Sequence, residues 1–183
     1  MNRVYRTPES IITSSTKKGA LELAGKEKLT YLGNSRPLDE ETREKLGIKR
    51  ATRVEVVNTK LERKLAGAQI KVGRNQLLLL NNYPRPAPKS TLYHEVEHTL
   101  QPHKEPKTPR ELARQEIAVE VAIYQKTGIP LRNRMTLRGL RTDLVEKFDV
   151  STKEAKGIIL KELKRQKAPI RWIRDFRGIS SND

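Results

Sequence analysis

The chain has no cysteine and only 3 histidines among its 183 residues. Without thiols there is no disulfide framework and no thiolate metal site, so any metal must be held by imidazole and carboxylate. Aromatic residues make up only 4% and hydrophobic residues 35%. A chain of this length still buries a real core, as one domain or as one compact domain with a small helical appendix. No run approaches the roughly 20 apolar residues that span a bilayer, and residues 1–10 lack the apolar stretch of a signal peptide. The expected setting is therefore cytoplasmic, with no membrane partner. Internal repeats, low-complexity segments and arginine-rich blocks are all missing from the sequence.

What the chain does have is positive charge. The formal balance is +16, with Lys and Arg spread over the whole length. Such a surface favours contact with nucleic acid or another polyanion. The plainer reading is a soluble basic surface with no dedicated partner.

Two of the three histidines fall in one short stretch, His94-Glu95-Val96-Glu97-His98, an H-E-x-x-H motif. On a helix, residues four apart share a face, so both imidazoles reach one metal ion, and zinc is the expected cofactor. Glu95 then sits at the edge of that face, where a carboxylate meets an attacking water. Leu92, Tyr93, Val96 and Leu100 supply an apolar stripe at helical spacing. Ser90 or Thr91 is the expected N-cap, and Pro102 discourages continuation beyond Gln101. The bland alternative is a surface helix carrying two unrelated histidines.

Around this stretch the pattern predicts a short helix near residues 18–26 and another over 38–46, stopped by Gly47. Residues 53–57 and 69–72 alternate and read as strands. Residues 76–81 read as a more fully buried strand after a turn at 73–75, giving an antiparallel sheet of about three strands. The alternating prolines of 83–88 read as a stiff link into the metal helix rather than a peptide-recognition segment. Thr108-Pro109, with Glu111 three residues after the cap, opens a helix that ends at Gly128. Helices follow over 136–148 and from the Ser151–Glu154 capping box to about 166, then a short amphipathic tail over 170–176. The two helices of 141–164 also fit a helix-turn-helix, with Thr152, Lys153 and Lys156 placed to read bases and Lys161, Lys164 and Arg165 to hold phosphates. A helical hairpin that only closes the core fits them equally.

A catalytic zinc usually has three protein ligands and an open position. His103 lies five residues after His98 with no intervening glycine, which misses the spacing of H-E-x-x-H-x-x-G-x-x-H. Glu116 is the better third ligand, with Glu120 one turn later. A carboxylate pair on a helix otherwise carrying Ile117, Val119, Val121 and Ile123 is costly to desolvate unless a charge faces it, and a metal supplies that charge. Glu116 would ligate and Glu120 would orient a liganding histidine, although the spacing alone leaves open which glutamate is the ligand. The competing reading has both paired with Arg110, Arg114 or Lys126.

H-E-x-x-H followed by E-x-x-x-E on the next helix resembles the gluzincin arrangement, H-E-x-x-H then E-x-x-x-D. Within that group the layout is similar to the ImmA/IrrE family of small cytoplasmic metallopeptidases, over about residues 76–165. Glu120 stands where that family usually has Asp or Asn, and Gly128-Ile129-Pro130 replaces its usual Leu-Met-Pro. The resemblance implies a zincin-like α+β fold: a small antiparallel sheet packed on the H-E-x-x-H helix, followed by a helix-turn-helix-like segment. The expected division is 1–130 for the metallopeptidase domain and 131–183 for the helical segment. Zinc-dependent hydrolysis of a peptide bond in a protein substrate is the implied activity, with Glu95 as the base, His94, His98 and Glu116 as ligands, and a DNA-binding repressor as the example substrate. The competing class is a basic nucleic-acid-binding regulator with a structural or inactive metal site. An effector or mobile-element protein with the same core is a third.

Overall fold

The computed structural model describes residues 2–8, 10–25, 28–49, 51–61, 67–72, 75–82, 88–101, 105–129 and 133–178. Two compact units divide the chain, Met1–Gln101 and Pro102–Asp183.

In the first unit β1 (Arg3–Arg6) pairs with β2 (Ile11–Ser14) on one side and β3 (Thr30–Asn34) on the other, an antiparallel sheet of order β2-β1-β3. The expected first helix is present as α1 (Lys17–Ala24), opened by Thr16, whose hydroxyl accepts the Gly19 N–H at 3.0 Å. The three strands around it were not expected. Each is short and mostly polar, and β1 and β3 meet only through long-range pairing, which leaves no local pattern.

After β4 (Arg36–Pro37) comes α2 (Glu40–Leu46), capped by Asp39 on the Thr42 N–H at 2.9 Å and ended by Gly47 at φ 68°. β5 (Val54–Thr59), β6 (Gly67–Val72) and β7 (Asn75–Asn81) complete a second sheet of order β4-β5-β7-β6. The β6–β7 pair is antiparallel as the alternation predicts, with Ala68 opposite Leu79 and Ile70 opposite Leu77. β5, however, joins β7 in parallel, with Val56 opposite Leu78, so this sheet is mixed rather than antiparallel. Alternation reports which face a residue takes, not the direction of its neighbour. The unbroken buried run Leu77–Leu80 is what a strand covered on both faces looks like. Leu77 and Leu79 pack with Val4 and Val57 on one face. Gly67, opposite Leu80, belongs to the other face and meets the next helix.

That helix is α3 (Lys89–Leu100). Its N-cap is Pro88, at φ −65° and ψ 155°, with no side-chain cap, so the expected Ser90 or Thr91 cap is not used. Proline has no N–H to leave unsatisfied there, and its fixed φ leads the chain into the first turn. Leu92, Tyr93 and Val96 are buried as the stripe requires, but Leu100 is exposed and Glu97 is buried in its stead. Lys89 in the first turn donates to Glu41 at 2.7 Å and Lys45 donates to the same carboxylate at 2.8 Å, tying α2 to α3. The two lysine hydrogen bonds, Lys45 first, hold the Glu41 carboxyl down at about 2.

The second unit is helical: α4 (Pro109–Thr127), α5 (Asn133–Phe148), α6 (Thr152–Arg165) and α7 (Ile170–Arg177). Three of the helix ends follow directly from capping chemistry. Thr108 accepts the Glu111 N–H at 3.1 Å, and Gly128 ends α4 at φ 67°, a left-handed position that costs a side-chain-bearing residue more. Ser151 and Glu154 form the reciprocal capping box, at 3.2 and 2.9 Å. One core runs through all four helices, built on Ile117, Leu144, Ile159, Leu163, Trp172 and Phe176. Tyr124 stacks edge-on against Trp172 at 5.6 Å. Glu162 is buried within this unit at 1% exposure. It accepts from Arg110 on α4 at 3.1 Å and from Arg165 at 2.8 Å, which satisfies a charge that burial would otherwise penalise.

Candidate metal centre

His94 and His98 lie on α3 and are half-buried. Their rings meet edge to face, with centroids 4.7 Å and interplanar angle 75°, and the two Nε2 atoms are 3.0 Å apart. One ring nitrogen donates and the other accepts, according to tautomer. Two nitrogen ligands on one tetrahedral zinc, at bond lengths of about 2.0–2.1 Å, stand about 3.3 Å from each other. The helix therefore presents the pair at nearly the separation that zinc needs.

Glu116, on α4, completes the set. His94, His98 and Glu116 each offer one ligand atom, all within 4.8 Å of one another, so a His-His-Glu group able to hold a metal ion is present. Two imidazoles and one carboxylate are a donor set suited to zinc, and the chain has no thiolate to compete with it. Glu120 is half-buried and is not part of the group. The other ligand candidate, His103, lies outside the described residues, as do residues 83–87 of the proline link.

Glu95 is half-buried on α3, and the strand β6 sits against it. A Cβ added to Gly67 would come 2.7 Å from both Cγ and Oε1 of Glu95, and 2.9 Å from Cδ. Only glycine fits there with this carboxylate in place. Sequence reasoning missed Gly67, since a glycine before an alternating run reads as a strand boundary, and only the folded sheet brings it to the motif.

The residues considered for nucleic acid sit on α6. Lys156 donates from Nζ to the Arg177 carbonyl at 3.2 Å, against the end of α7, and Arg165 is committed to Glu162. Lys153, Lys161 and Lys164 are exposed. The turn between α5 and α6 places Asp149 at φ 52°, a left-handed position that favours glycine. No helix among the described residues is long and apolar enough to cross a membrane. Comparison with protein-family models, with curated proteins and with solved structures gave no match.

Proposed function

We propose that this protein is a zinc-dependent peptidase of zincin type, acting on a protein substrate through His94, Glu95, His98 and Glu116. The observation that carries the reading is the approach of the two histidines and Glu116 to within 4.8 Å of one another, with the motif glutamate beside them in sequence. Three protein ligands leave a fourth position open, which distinguishes catalytic zinc sites from closed structural ones. Bound there, zinc would supply a Lewis acid that polarises the scissile carbonyl. His94, His98 and Glu116 would hold it.

The remaining work belongs to Glu95. Its carboxylate takes a proton from the attacking water, and the resulting carboxylic acid returns that proton to the departing amine, so that the residue ends the cycle as it began. The absence of a side chain at Gly67 leaves the room that this carboxylate occupies. The likeness of the motif and of the helix that follows it to the ImmA/IrrE metallopeptidases supports a protein substrate, and extends the proposal to a helix-turn-helix reading of α5 and α6.

The test is zinc content by mass spectrometry together with cleavage of a mixed peptide library. Wild type should carry about one zinc per chain, and His98→Ala should lose it. Glu95→Gln should retain zinc while cleavage falls by about 10²–10⁴-fold, the usual contribution of a general base. Unchanged zinc in His98→Ala, or undiminished cleavage by Glu95→Gln, would overturn the assignment.

A further inference from the structure

The first sheet carries a cavity to which the metal centre contributes no residue. About 420 Å³ of space is lined by Arg3 and Tyr5 of β1, Lys17 at the start of α1, and Tyr31 and Asn34 of β3. Ligand sites occupy roughly 300–1,000 Å³. Val4 points to the other face of the sheet, where it packs with Val57, Leu77 and Leu79. Arg3 and Tyr5 alternate with Val4 and so share the cavity face.

A β-bulge brings β3 to the same face. Asn34 stands opposite Arg3 and Tyr31 opposite Tyr5, with a register shift between Val4 and Tyr5. Tyr31 and Asn34 are an odd number of residues apart, so strict alternation would put them on opposite faces, and the extra residue of the bulge keeps them together. Leu32 packs instead with the Val4 cluster. The Tyr31 ring meets the Tyr5 ring at 5.3 Å and 53°, and its hydroxyl donates to Asn34 Oδ1 at 2.7 Å. Tyr5 is 4% exposed and Tyr31 53%. An exposed ring is thus backed by a buried one and pinned at its tip.

Donors stand around this ring. Arg3 and Lys17 are both exposed, and neither is held in an ion pair among the described residues. The oxygen of Asn34 is taken by Tyr31, which leaves its amide N–H groups to donate.

We propose that this cavity binds a nucleotide, with the base stacked on Tyr31 and the phosphate held by Arg3, Lys17 and the Asn34 amide. A ring alone would suit any apolar ligand, and cations alone any anion. Together they select a ligand that is planar at one end and anionic at the other. Arg3 and Tyr5 lie two residues apart on one face, about 7 Å along the strand, close to the separation of a base from its own 5′-phosphate. The nucleotide is either free or one unit of a single strand. In a duplex the base faces are covered by their neighbours, so Tyr31 has nothing to stack on. The site stands apart from the peptidase reading of α3 and does not depend on it.

The experiment titrates the full chain with a fluorescein-labelled deoxyadenosine hexamer, followed by anisotropy. Salt is held at about 0.15 M, where general attraction to a surface of +16 is screened. A hairpin duplex with as many phosphates is the charge reference, and AMP and ribose 5-phosphate are the competitors. Tyr31→Ala should weaken the hexamer about tenfold, as loss of one base stack implies, and leave the duplex unchanged, while Tyr31→Phe keeps most of the binding. Arg3→Gln with Lys17→Gln should weaken the hexamer about tenfold through loss of two charge-assisted contacts. Lys28→Gln with Lys49→Gln removes as much charge from exposed positions that do not line the cavity and should change nothing. Circular dichroism checks that these exposed changes leave the fold intact.

Displacement of the hexamer by AMP supports the proposal and identifies a free nucleotide. Hexamer binding that AMP does not displace supports it as a single-strand site. Undiminished hexamer binding by Tyr31→Ala would overturn the site, as would equal losses of hexamer and duplex. Equal weakening by the two cation pairs would show general surface attraction and overturn it too. Ribose 5-phosphate competing as well as AMP, or no saturable binding of the hexamer or of AMP, would do the same.

Discussion

The two units keep their interiors in different ways. In Pro102–Asp183 one apolar cluster runs through four helices, and the only buried carboxylate among its described residues, Glu162, is answered by two arginines. In Met1–Gln101 the interior is divided between the two faces of a mixed sheet, and the cluster on one face rests on four buried side chains, Val4, Val57, Leu77 and Leu79. Charge does not separate the units, because each carries half of the +16. The difference therefore lies in how a residue is held: by depth of packing in one unit, by close fit against a strand in the other.

Removing the deepest packing should have the largest effect. Trp172 is 4% exposed within the helical core, and Trp172→Ala should cost about 3–5 kcal/mol, seen as loss of helical signal at lower denaturant than wild type. If the sheet unit is held independently, the accessibility of Tyr93 and the signal of its strands should change less than the helical signal. A single coincident transition moved by the full amount would show that the two units unfold as one.

The close fit should break differently. In Gly67→Ala the new methyl meets the flexible end of Glu95, so the fold yields cheaply by moving the carboxylate. Zinc content should stay at the wild-type level while turnover falls by about 10²-fold, the loss expected when a reacting group is displaced by about 1 Å. Full turnover by Gly67→Ala would remove the seat assigned to Glu95.

The smallest effect concerns the ion pairs between α2 and α3. The Glu41 carboxyl stands at about 2, against 4.5 when unperturbed, because Lys45 and Lys89 donate to it. Its folded value is the lower one, so the pairs stabilise the protein above pH 4.5 and lose that contribution as pH falls towards 2. Glu41→Gln should lower the melting temperature slightly at pH 7, less in high salt, and the difference should close at the acid end of that window. A difference that persists to pH 2 would assign the effect to packing.

The helical unit was far more legible in the sequence than the sheet unit. Thr108-Pro109, Gly128 and the Ser151–Glu154 box mark helix ends with local chemistry, and the structure uses each of them. The motif histidines were also legible, since their spacing follows from one turn of helix; Glu116 was legible only as one of two candidates on an apolar helix, with pairing to Arg110, Arg114 or Lys126 as the competing reading. What could not be read depends on partners distant in sequence. The first sheet needs β1 to meet β3, the parallel pairing of β5 with β7 skips over β6, and Gly67 gains its meaning from Glu95. The missed cap of α3 has a local cause, because Pro88 begins the helix two to three residues ahead of the hydroxyls that resemble caps.

Glu162 also constrains how this chain can change over time. With the carboxylate in place, loss of either Arg110 or Arg165 leaves a buried charge short of a partner, a strongly unfavourable intermediate. Replacing the carboxylate first, by an apolar residue of similar volume, removes the need for both arginines at once and leaves them on the surface. The three positions therefore do not drift independently. The acid must change before its arginines are released, and until it does, α4 and α6 are held in register by an order of substitution as much as by contact.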